Sequence, residues 1–326
     1  FIQFYHGFMM AADSLKKSGL NVEIHVYDVD HQLSKAYDVT GKPEMKKMDM
    51  IFGPFFKNTF PVMADFAREN EIPIFNPLSP RSDILEGNPY VFKLIPSIES
   101  QPEILAKLVK RDYSDHKIIF YIPNKVQQTE LINQYVEAIE GNFNTGKRMV
   151  TVVDYASDSL RGFREYASMA KPNLVIVFAE NEVLPSALLN KLSVLKNEYE
   201  TTVIGIPEWE KFTNIETAYL ISFNANIFMA SYTEYADENV KAFIQSYRTK
   251  YLDEPLTYGI SGFDAGYYFL YALMNYGKDF EDCLDEIRIP LLQNQLRFKK
   301  IDGGGYDNVN WNVLQYFDYS LFKKSL

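Results

Sequence analysis

The chain has a single cysteine, Cys283, among 326 residues, so it can form no internal disulfide. One cysteine does not decide the redox compartment, and we expect Cys283 to be a small buried hydrophobic residue in a helix. Long apolar runs are also missing, since no stretch approaches the roughly 18 residues that a membrane-spanning helix needs. No signal peptide is recognisable in the sequence, so we expect any export signal to lie outside this chain.

A basic surface is the second feature that the sequence lacks. The formal charge is −10, from 33 Lys and Arg against 43 Asp and Glu. Nucleic-acid-binding proteins normally show a basic balance or a basic stripe, whereas the basic clusters here, Lys46-Lys47 and Lys299-Lys300, are short. We therefore expect no nucleic-acid partner.

Motifs that would indicate an enzyme are incomplete. Residues 141–148, GNFNTGKR, nearly match a phosphate-binding loop, but Arg148 stands where that motif needs a hydroxyl residue, and the segment joins a predicted helix to a predicted strand. Residues 258–266, YGISGFDAG, have Phe263 where a nucleophile elbow needs glycine. The four histidines are scattered without the spacing of metal ligands. The sequence thus gives no case for an enzyme, a metal site or a cofactor.

The composition that remains is that of a folded protein, with 47% hydrophobic and 23% charged residues. The length suffices for two domains of ordinary size, each with its own core. Aromatic residues make up 15% of the chain, including 23 Tyr and 24 Phe. Such rings suit a cleft that holds polar ligands, and they equally suit ordinary core filling.

Hydrophobic periodicity predicts alternating strands and helices, which is typical of βαβ units and parallel sheets. The sequence therefore predicts an α/β fold. Predicted strands lie at 22–28, 50–52, 72–75, 117–123, 149–155, 174–180, 201–208, 227–231, 296–300 and 311–317, and predicted helices at 1–18, 58–70, 102–111, 131–139, 158–170, 184–197, 237–251 and 258–276. Residues 302–308, DGGGYDN, are predicted to form a turn between the final two strands.

The strands are too many for one compact sheet, and the polar stretch 112–116 divides the chain into two similar α/β halves. No long Gly/Ser or Pro linker separates the halves, so we expect short crossings between them. The chain opens on a helix, whereas a doubly wound domain normally opens on a strand. We therefore expect a first strand upstream of this sequence.

Two strands end in proline-marked loops, at Gly53-Pro54 and at Asn76-Pro77, with one helix between them. In open α/β sheets, ligands bind outside the carboxyl ends of the strands. These two loops are therefore the first candidates for a binding site.

Four stretches in order resemble the type I periplasmic binding-protein fold, in the branch of branched-chain amino-acid-binding proteins and receptor ligand-binding regions. The stretches are FYHGFMMAADSLKKSGLNVEIHVYD, MDMIFGPFFKNTFPVMADFARENEIPIFNPLSP, NPYVFKLIPS and YGISGFDAGYYFLYALMNYG. The resemblance covers essentially the whole chain. It is similar in particular to the domain found behind LysM (peptidoglycan-binding) modules in some bacterial envelope proteins.

The resemblance implies two Rossmann-like lobes with parallel sheets, joined by three crossings and closing like a hinge on a ligand in the cleft between them. Carried onto this sequence, lobe one comprises about 1–115 and 236–304, and lobe two about 116–235 and 305–326. The two proline-marked loops then form the lip of lobe one, and the loops after residues 122, 180 and 206 form the facing lip.

The implied ligand-binding residues lie on these lips. They are Lys57, Asn58, Thr59, Ser79, Gln127, Glu180, Glu208 and Trp209. The sequence departs from the family pattern at three of the four expected α-amino-acid contacts: Lys57 replaces a carboxylate-binding serine, Ser79-Pro80 replaces an Ala-Thr pair, and Gln127-Gln128 replaces a Tyr-Gly pair. The resemblance places either Glu208, as the acid that holds the amino group, or Trp209 as the inward residue at the fourth position.

The resemblance therefore implies a non-enzymatic module that binds a small polar ligand, either amino-acid-like or another carboxylate or anionic metabolite. Such a module serves transport or sensing in the extracytoplasmic space, with a membrane transporter, or peptidoglycan through an upstream module, as its larger partner. The alternative is a degenerate binding fold that acts as an envelope interaction or scaffold domain, its cleft plugged by side chains such as Phe55 and Phe56.

Overall fold

The architecture is that of a computed structural model, which describes residues 1–123, 128–143, 149–155, 160–293 and 295–325. The α-helices in chain order are α1 (Ile2–Lys16), α2 (Leu33–Thr40), α3 (Phe60–Glu69), α4 (Gln101–Asp112), α5 (Thr129–Phe143), α6 (Leu160–Tyr166), α7 (Val183–Leu195), α8 (Thr217–Ser222), α9 (Glu238–Tyr251) and α10 (Thr257–Tyr276).

The strands alternate with these helices along most of the chain, which confirms the predicted α/β class. They are β1 (Ile51–Phe52), β2 (Ile74–Asn76), β3 (Val91–Lys93), β4 (Lys117–Ile122), β5 (Val150–Asp154), β6 (Asn173–Ala179), β7 (Thr201–Pro207), β8 (Asn226–Met229), β9 (Phe298–Lys300), β10 (Tyr306–Asn308), β11 (Asn312–Phe317) and β12 (Ser320–Lys324).

The chain divides into two compact units. The first unit comprises Phe1–Ser97 and Ser231–Asn310, and the second comprises Ile98–Ala230 and Trp311–Leu326. Each unit has its own sheet and its own hydrophobic core.

The sheet of the first unit has the strand order β1-β2-β3-β10-β9, in which only β9 runs antiparallel to its neighbour. Successive residues of a strand point to opposite faces, so each strand supplies two cores. Ile74 of β2 belongs to the core under α3, whereas Phe75 belongs to the core under α1 and α10. Val91 and Phe92 of β3 divide in the same way.

Helices α1 and α10 approach each other at glycines. A Cβ atom on Gly262 would lie 2.0 Å from the backbone oxygen of Phe4, and one on Gly7 would lie 1.9 Å from the backbone oxygen of Gly259. Any larger residue at these positions would separate the two helices. The YGISG stretch is thus part of a helix–helix contact, in agreement with the sequence-based rejection of a nucleophile elbow.

The sheet of the second unit has the strand order β12-β11-β8-β7-β6-β4-β5. The strands from β5 to β8 in this order are parallel, while β11 and β12 are antiparallel to their neighbours. Every residue of β6, Asn173–Ala179, is buried. A continuous apolar strand of this kind is expected where helices cover both faces of a parallel sheet.

Helix α4 packs in the second unit, whereas the sequence-based bounds place it before the end of lobe one at 115. Its buried residues Leu105, Leu108 and Val109 join the core that contains β4 and α5. Its last residue, Asp112, pairs with Lys324 of β12 at 2.6 Å. The boundary lies at 97–98 because the apolar face of this helix, rather than the polar stretch after it, decides the unit to which the helix belongs.

The predicted strand 22–28 is wrong as a strand. Residues 21–29 have no strand pairing in the structure, and Val22 and Val26 are exposed. Alternation of apolar residues predicts an extended backbone, but a strand also needs a hydrogen-bonded neighbour, which a local pattern cannot supply.

The predicted turn over DGGGYDN is wrong in its second half, because residues 306–308 form β10 inside the first sheet. The polar residues of β10 find buried partners. Asp307 pairs with Lys93 of β3 at 2.9 Å, with side-chain exposures of 5% and 0%. Asn308 Nδ2 donates to the backbone oxygen of Leu94 at 2.7 Å. A strand made of Tyr, Asp and Asn cannot be predicted from hydrophobic periodicity, because these polar contacts stabilise it.

Candidate functional site

A cavity of about 490 Å³ lies in the first unit, bordered by α3, the loop before it and the segment that follows β2. This volume is within the range of about 300–1,000 Å³ that is usual for small-molecule sites. The lining residues are Phe55, Lys57, Phe60, Pro61, Ala64, Asp65, Arg68, Asn76, Leu78, Ser79, Pro80, Arg81, Asp83, Ile84, Glu86 and Asn88. We call this cavity the α3 pocket.

Both proline-marked loops border the α3 pocket. The first leaves β1 through Gly53, which has φ +83°, and a cis peptide bond to Pro54. The ring of Phe55 then packs on two other rings. Its centroid lies 5.2 Å from that of Phe1, which precedes α1, and 5.0 Å from that of Phe4 in α1. The loop is therefore held against α1 by aromatic contacts before α3 begins at Phe60.

The three predicted residues of the first loop differ in their surroundings. Lys57 is exposed, lines the α3 pocket and makes no ion pair with any residue of the described ranges. Asn58 donates through Nδ2 to the backbone oxygen of His31 at 2.6 Å. Thr59 is 0% exposed, and its Oγ1 donates to the backbone oxygen of Phe56 at 3.4 Å. Of the three, Lys57 lines the pocket, whereas the side chains of Asn58 and Thr59 hydrogen-bond to backbone oxygens.

The second loop is organised by Asn76, the last residue of β2, which is 3% exposed. Its Oδ1 accepts hydrogen bonds from the backbone N–H groups of Leu78 at 3.1 Å and Ser79 at 2.9 Å. These two bonds fix the orientation of the amide. Its Nδ2 donates no hydrogen bond within the described part of the chain, and Asn76 lines the α3 pocket.

Ser79, the predicted residue of the second loop, also lines the α3 pocket. Its Oγ accepts a hydrogen bond from the backbone N–H of Arg81 at 3.2 Å. The hydroxyl proton is left to donate elsewhere, since a serine hydroxyl both accepts and donates. Lys57, Asn76 and Ser79, each with a side-chain donor, thus line one cavity.

The other charged residues of the pocket pair with each other. Arg68 Nη2 donates to Asp65 Oδ1 at 2.9 Å, and Arg81 Nε donates to Asp83 Oδ1 at 2.9 Å. The hydrogen bond from Arg81 lowers the pKa of Asp83 below its usual value. Each of these two aspartates therefore has an arginine partner within the chain.

The predicted residues of the facing lip lie in the second unit. Ala179 of β6 pairs with Pro207 of β7, so Glu180 and Glu208 leave neighbouring strands at the same edge of that sheet. Glu180 is exposed, whereas Glu208 is partly buried and forms an ion pair with Lys211. Gln127 lies outside the described residues.

Trp209 is 3% exposed and packs on Gly205, where a Cβ atom would lie 2.0 Å from the indole Cδ2. Its Nε1 is buried without a hydrogen-bond partner among the described residues. The adjacent Glu210 also has a buried oxygen, Oε2, without such a partner. Burial, with a smaller contribution from Glu208, raises the pKa of Glu210 to about 7. The indole is therefore part of the packing of this turn.

The structure brings Lys57 and Ser79 together around one cavity, and Glu208 and Trp209 together on one turn. Whether these residues bind one ligand stays a prediction. Sequence reasoning did not select Asn76, although the Asn-Pro break after a buried strand was the available signal. It also did not select Arg68, Arg81 or Asp83, because surface-type residues on a helix and a loop carry no local mark of a cavity.

Among the described residues, no group of three His, Cys, Asp or Glu side chains is placed to hold a metal ion. Within the same described ranges, no helix is both long enough and apolar enough to cross a membrane.

Neither a family model nor a curated protein matches the sequence. Solved structures, by contrast, match along nearly the whole chain. A Rhodospirillum rubrum protein described as a branched-chain amino acid ABC transporter matches with a TM-score of 0.73 and 13% identity, over 99% of this chain and 94% of that one. An ABC transporter substrate-binding protein from Desulfitobacterium hafniense matches with a TM-score of 0.61 and 15% identity, over 98% and 95%.

A third similar structure is the C-domain of LpoA from Haemophilus influenzae, described as a regulator of PBP1A. Its TM-score is 0.61 at 12% identity, over 99% of this chain and 95% of that one. At such identities the likeness establishes architecture and not activity. The order of strands in both sheets and these matches together show that the chain has the type I periplasmic binding-protein fold, as the sequence predicts.

Proposed function

We propose that the chain is a non-enzymatic solute-binding module that takes a small anionic ligand in the α3 pocket. The observation that carries this proposal is that Lys57, Asn76 and Ser79 line one cavity, and that the side-chain donor of each has no hydrogen-bond acceptor among the described residues. A carboxylate or phosphate accepts hydrogen bonds without donating, so it complements such a set. The N-terminal turn of α3 adds its positive dipole end at the same place.

The fold supports this proposal at a coarser level. Similar structures are described as ABC transporter substrate-binding proteins, and one of these, from Desulfitobacterium hafniense, is described in complex with Leu. We accordingly propose an extracytoplasmic location and a role in transport or sensing. Closure of two lobes over the ligand, a transporter partner and a peptidoglycan-binding upstream module stay predictions of the resemblance.

The experiment that tests the proposal is a thermal-shift screen of the purified chain. The panel contains carboxylic acids, amino acids, short peptides, nucleosides, sugar phosphates and cell-wall fragments. A ligand at about a hundred times its dissociation constant adds roughly 2.7 kcal/mol to the free energy of unfolding, enough to raise Tm by a few degrees. We expect a shift with an anionic class and a smaller shift for Lys57→Met.

The matched control is Lys46→Met. Lys46 is also an exposed lysine of the first unit, but it does not line the α3 pocket. An equal loss of shift in both variants would show a general charge effect and contradict a role for Lys57. No shift with any member of the panel, for a folded protein, would contradict solute binding.

The alternative is that the fold acts as an envelope interaction domain. It is favoured by two predicted lip residues whose side chains are engaged within the chain, Asn58 with the backbone of His31 and Glu208 with Lys211. The similarity to the LpoA C-domain, a regulator rather than a solute carrier by its description, is compatible with this alternative. A stable protein that responds to no small molecule would support it.

A further inference from the structure

The sheet of the first unit is open at β1. The N–H of Ile51 donates to the backbone oxygen of Pro73 at 2.9 Å, and the N–H of Gly53 donates to that of Phe75 at 2.9 Å. Alternate residues of a parallel strand direct their backbone groups to alternate sides, so those of Phe52 are directed away from β2. No described residue pairs with β1 on that side. An unpaired edge of this kind is able to take a further strand.

Residues 21–29, which we call the outer segment, reach both cores of the first unit without joining its sheet. Ile24 packs against the same core as Phe52, whereas Tyr27 and Val29 pack against the core that contains Ile51. Even and odd residues thus lie on opposite faces, as they do in a strand. The outer segment nevertheless pairs with no described strand. It therefore lies beside the sheet as an outermost strand would, but without hydrogen bonds to β1.

Ring contacts fix the directions of α1 and of the outer segment relative to β1. The ring centroid of Phe8 lies 4.7 Å from that of Phe52, and the centroid of Phe1 lies 4.7 Å from that of Phe56, which follows β1. Helix α1 therefore runs antiparallel to β1. The ring centroid of His31, just after the outer segment, also lies 3.5 Å from that of Phe56. The outer segment therefore runs parallel to β1 and ends at the same edge of the sheet.

Helix α1 and the outer segment are arranged as the last two elements of a βαβ unit. The polypeptide enters α1 at Phe1, whose ring contacts Phe55 and Phe56 at the carboxyl edge of the sheet. A strand directly before α1 would therefore end at this edge and run parallel to β1. Between β1 and the outer segment, such a strand would find unpaired backbone groups on both sides.

We propose that the segment of this polypeptide directly before Phe1 lies between β1 and the outer segment as a parallel strand. Its two faces would meet the two apolar cores, the first containing Phe8 and the second containing Ile51. A strand buried on both faces needs a nearly continuous apolar run, rich in Val, Ile and Leu. Usual strand and loop lengths predict a run of about four to six residues that ends about two to six residues before Phe1.

A strand from a second copy of the chain fits this place less well. Phe8 of α1 covers Phe52 on one face of the sheet, and the core under α3 covers the other face. A strand from another molecule would have to thread between these layers, whereas a segment joined covalently to Phe1 begins at their edge. Covalent connection also gives that segment an effective concentration on the order of millimolar.

The test is hydrogen exchange, followed by mass spectrometry, on the polypeptide as its gene encodes it, with the residues before Phe1 retained. We expect the amide of Phe52 and amides of the outer segment to exchange at least about a hundredfold more slowly than those of residues 231–234. Residues 231–234 are the control because they also lie outside helices, strands and turns. Proline in place of the two central residues of the apolar run should abolish the protection, whereas the same change further upstream should not.

Rapid exchange at both Phe52 and the outer segment of the intact polypeptide would overturn the inference. A natural N-terminus within about four residues of Phe1 would do the same, because too little chain would remain for a strand. Protection that grows with protein concentration would assign the place to a second copy and also contradict the proposal. If the proline variant does not fold, exchange in the unaltered polypeptide decides alone. None of these measurements uses a ligand, so the proposed function is tested separately.

Discussion

Two buried amides, one in each unit, lie near the carboxyl ends of parallel strands and have opposite surroundings. Gln101 of the second unit donates to the backbone oxygen of Pro207 at 2.9 Å and accepts from the hydroxyl of Tyr135 at 2.7 Å. Asn76 of the first unit makes hydrogen bonds only through its oxygen within the described structure, and it lines the α3 pocket. One amide thus ties its own unit together, whereas the other has a donor left for a ligand.

The second unit also has polar side-chain atoms without a hydrogen-bond partner, but their surroundings differ from those of Asn76. Trp209 Nε1 and Glu210 Oε2 lack partners among the described residues, but both atoms are buried away from solvent. We therefore propose ligand binding for the first unit alone, although both units have the same α/β architecture. Which strand-end loop can bind is decided by whether its polar groups are already used within the chain.

The largest effect is expected where the first unit has no room for a side chain. Gly262→Ala places a Cβ 2.0 Å from the backbone oxygen of Phe4, so α1 and α10 must separate. We expect a loss of about 5 kcal/mol or more in the free energy of unfolding, measured by urea denaturation. The control is Gly141→Ala in α5 of the second unit, where nothing lies within 4 Å and the helix gains about 0.5–1 kcal/mol. Equal effects at both glycines would contradict the helix contact.

The next effect concerns ion pairs. Lys93→Met leaves Asp307 as an unpaired charge in the middle of the first sheet, where both side chains are almost fully buried. Removing one partner of a buried pair costs about 3–5 kcal/mol, and adding Asp307→Leu should restore much of it. The exposed pair of the second unit, Lys107 with Glu103 at 2.7 Å, is the comparison. For Lys107→Met we expect about 0.5 kcal/mol or less by the same denaturation.

The third effect depends on pH. Burial raises the pKa of Glu210 from 4.5 to about 7, so between these values the folded protein keeps a proton that the unfolded chain releases. Stability therefore falls as pH rises from about 4.5 to about 7, by about 3 kcal/mol in total. Glu210→Gln removes this slope, so its advantage over the wild type should grow between pH 5 and pH 8. Parallel pH profiles of the two proteins in urea denaturation would refute the assignment.

The smallest effects on the free energy of unfolding are expected from substitutions at or beside the two buried amides, Gln101 and Asn76. Gln101→Leu leaves the hydroxyl of Tyr135 and the backbone oxygen of Pro207 unpaired, and we expect a loss of about 2 kcal/mol. Ser79→Ala removes only one acceptor from the loop beside Asn76, with an expected loss of about 0.5 kcal/mol or less. Both values come from denaturant midpoints. A larger loss for Ser79→Ala would show that the pocket loop is structural.

Most helices and strands could be predicted from the sequence, because their apolar residues follow the period of the element. Phe4, Phe8 and Leu15 mark α1, and the apolar run in β6 marks a strand buried on both sides. The short strand β10 could not be predicted, because its stability comes from contacts with β3 that are distant in sequence. A local pattern reports the face that an element buries and not the partner that it finds.

Only the location of the candidate site could be predicted from the sequence, and not the hydrogen bonds and ion pairs within it. The proline-marked loops indicated the edge of the first sheet at which the α3 pocket lies, and Lys57 and Ser79 line that pocket as residues of those loops. The role of Asn76 depends on the two hydrogen bonds that fix its amide, and those depend on the folded loop. The arginine partners of Asp65 and Asp83 decide the charge balance of the pocket, and only folded geometry shows such pairing.

The position of β10 also governs how the protein can be made and divided. Asn308 of β10 bonds to Leu94, 214 residues earlier, and β11, a few residues later, pairs with β8 of the other sheet. A growing polypeptide that has reached residue 300 therefore holds two unfinished sheets, with the edge of β3 open in one and the edge of β8 open in the other. Neither unit can be expressed as one contiguous fragment, and a truncation after residue 300 would remove β10 from the first unit and both β11 and β12 from the second.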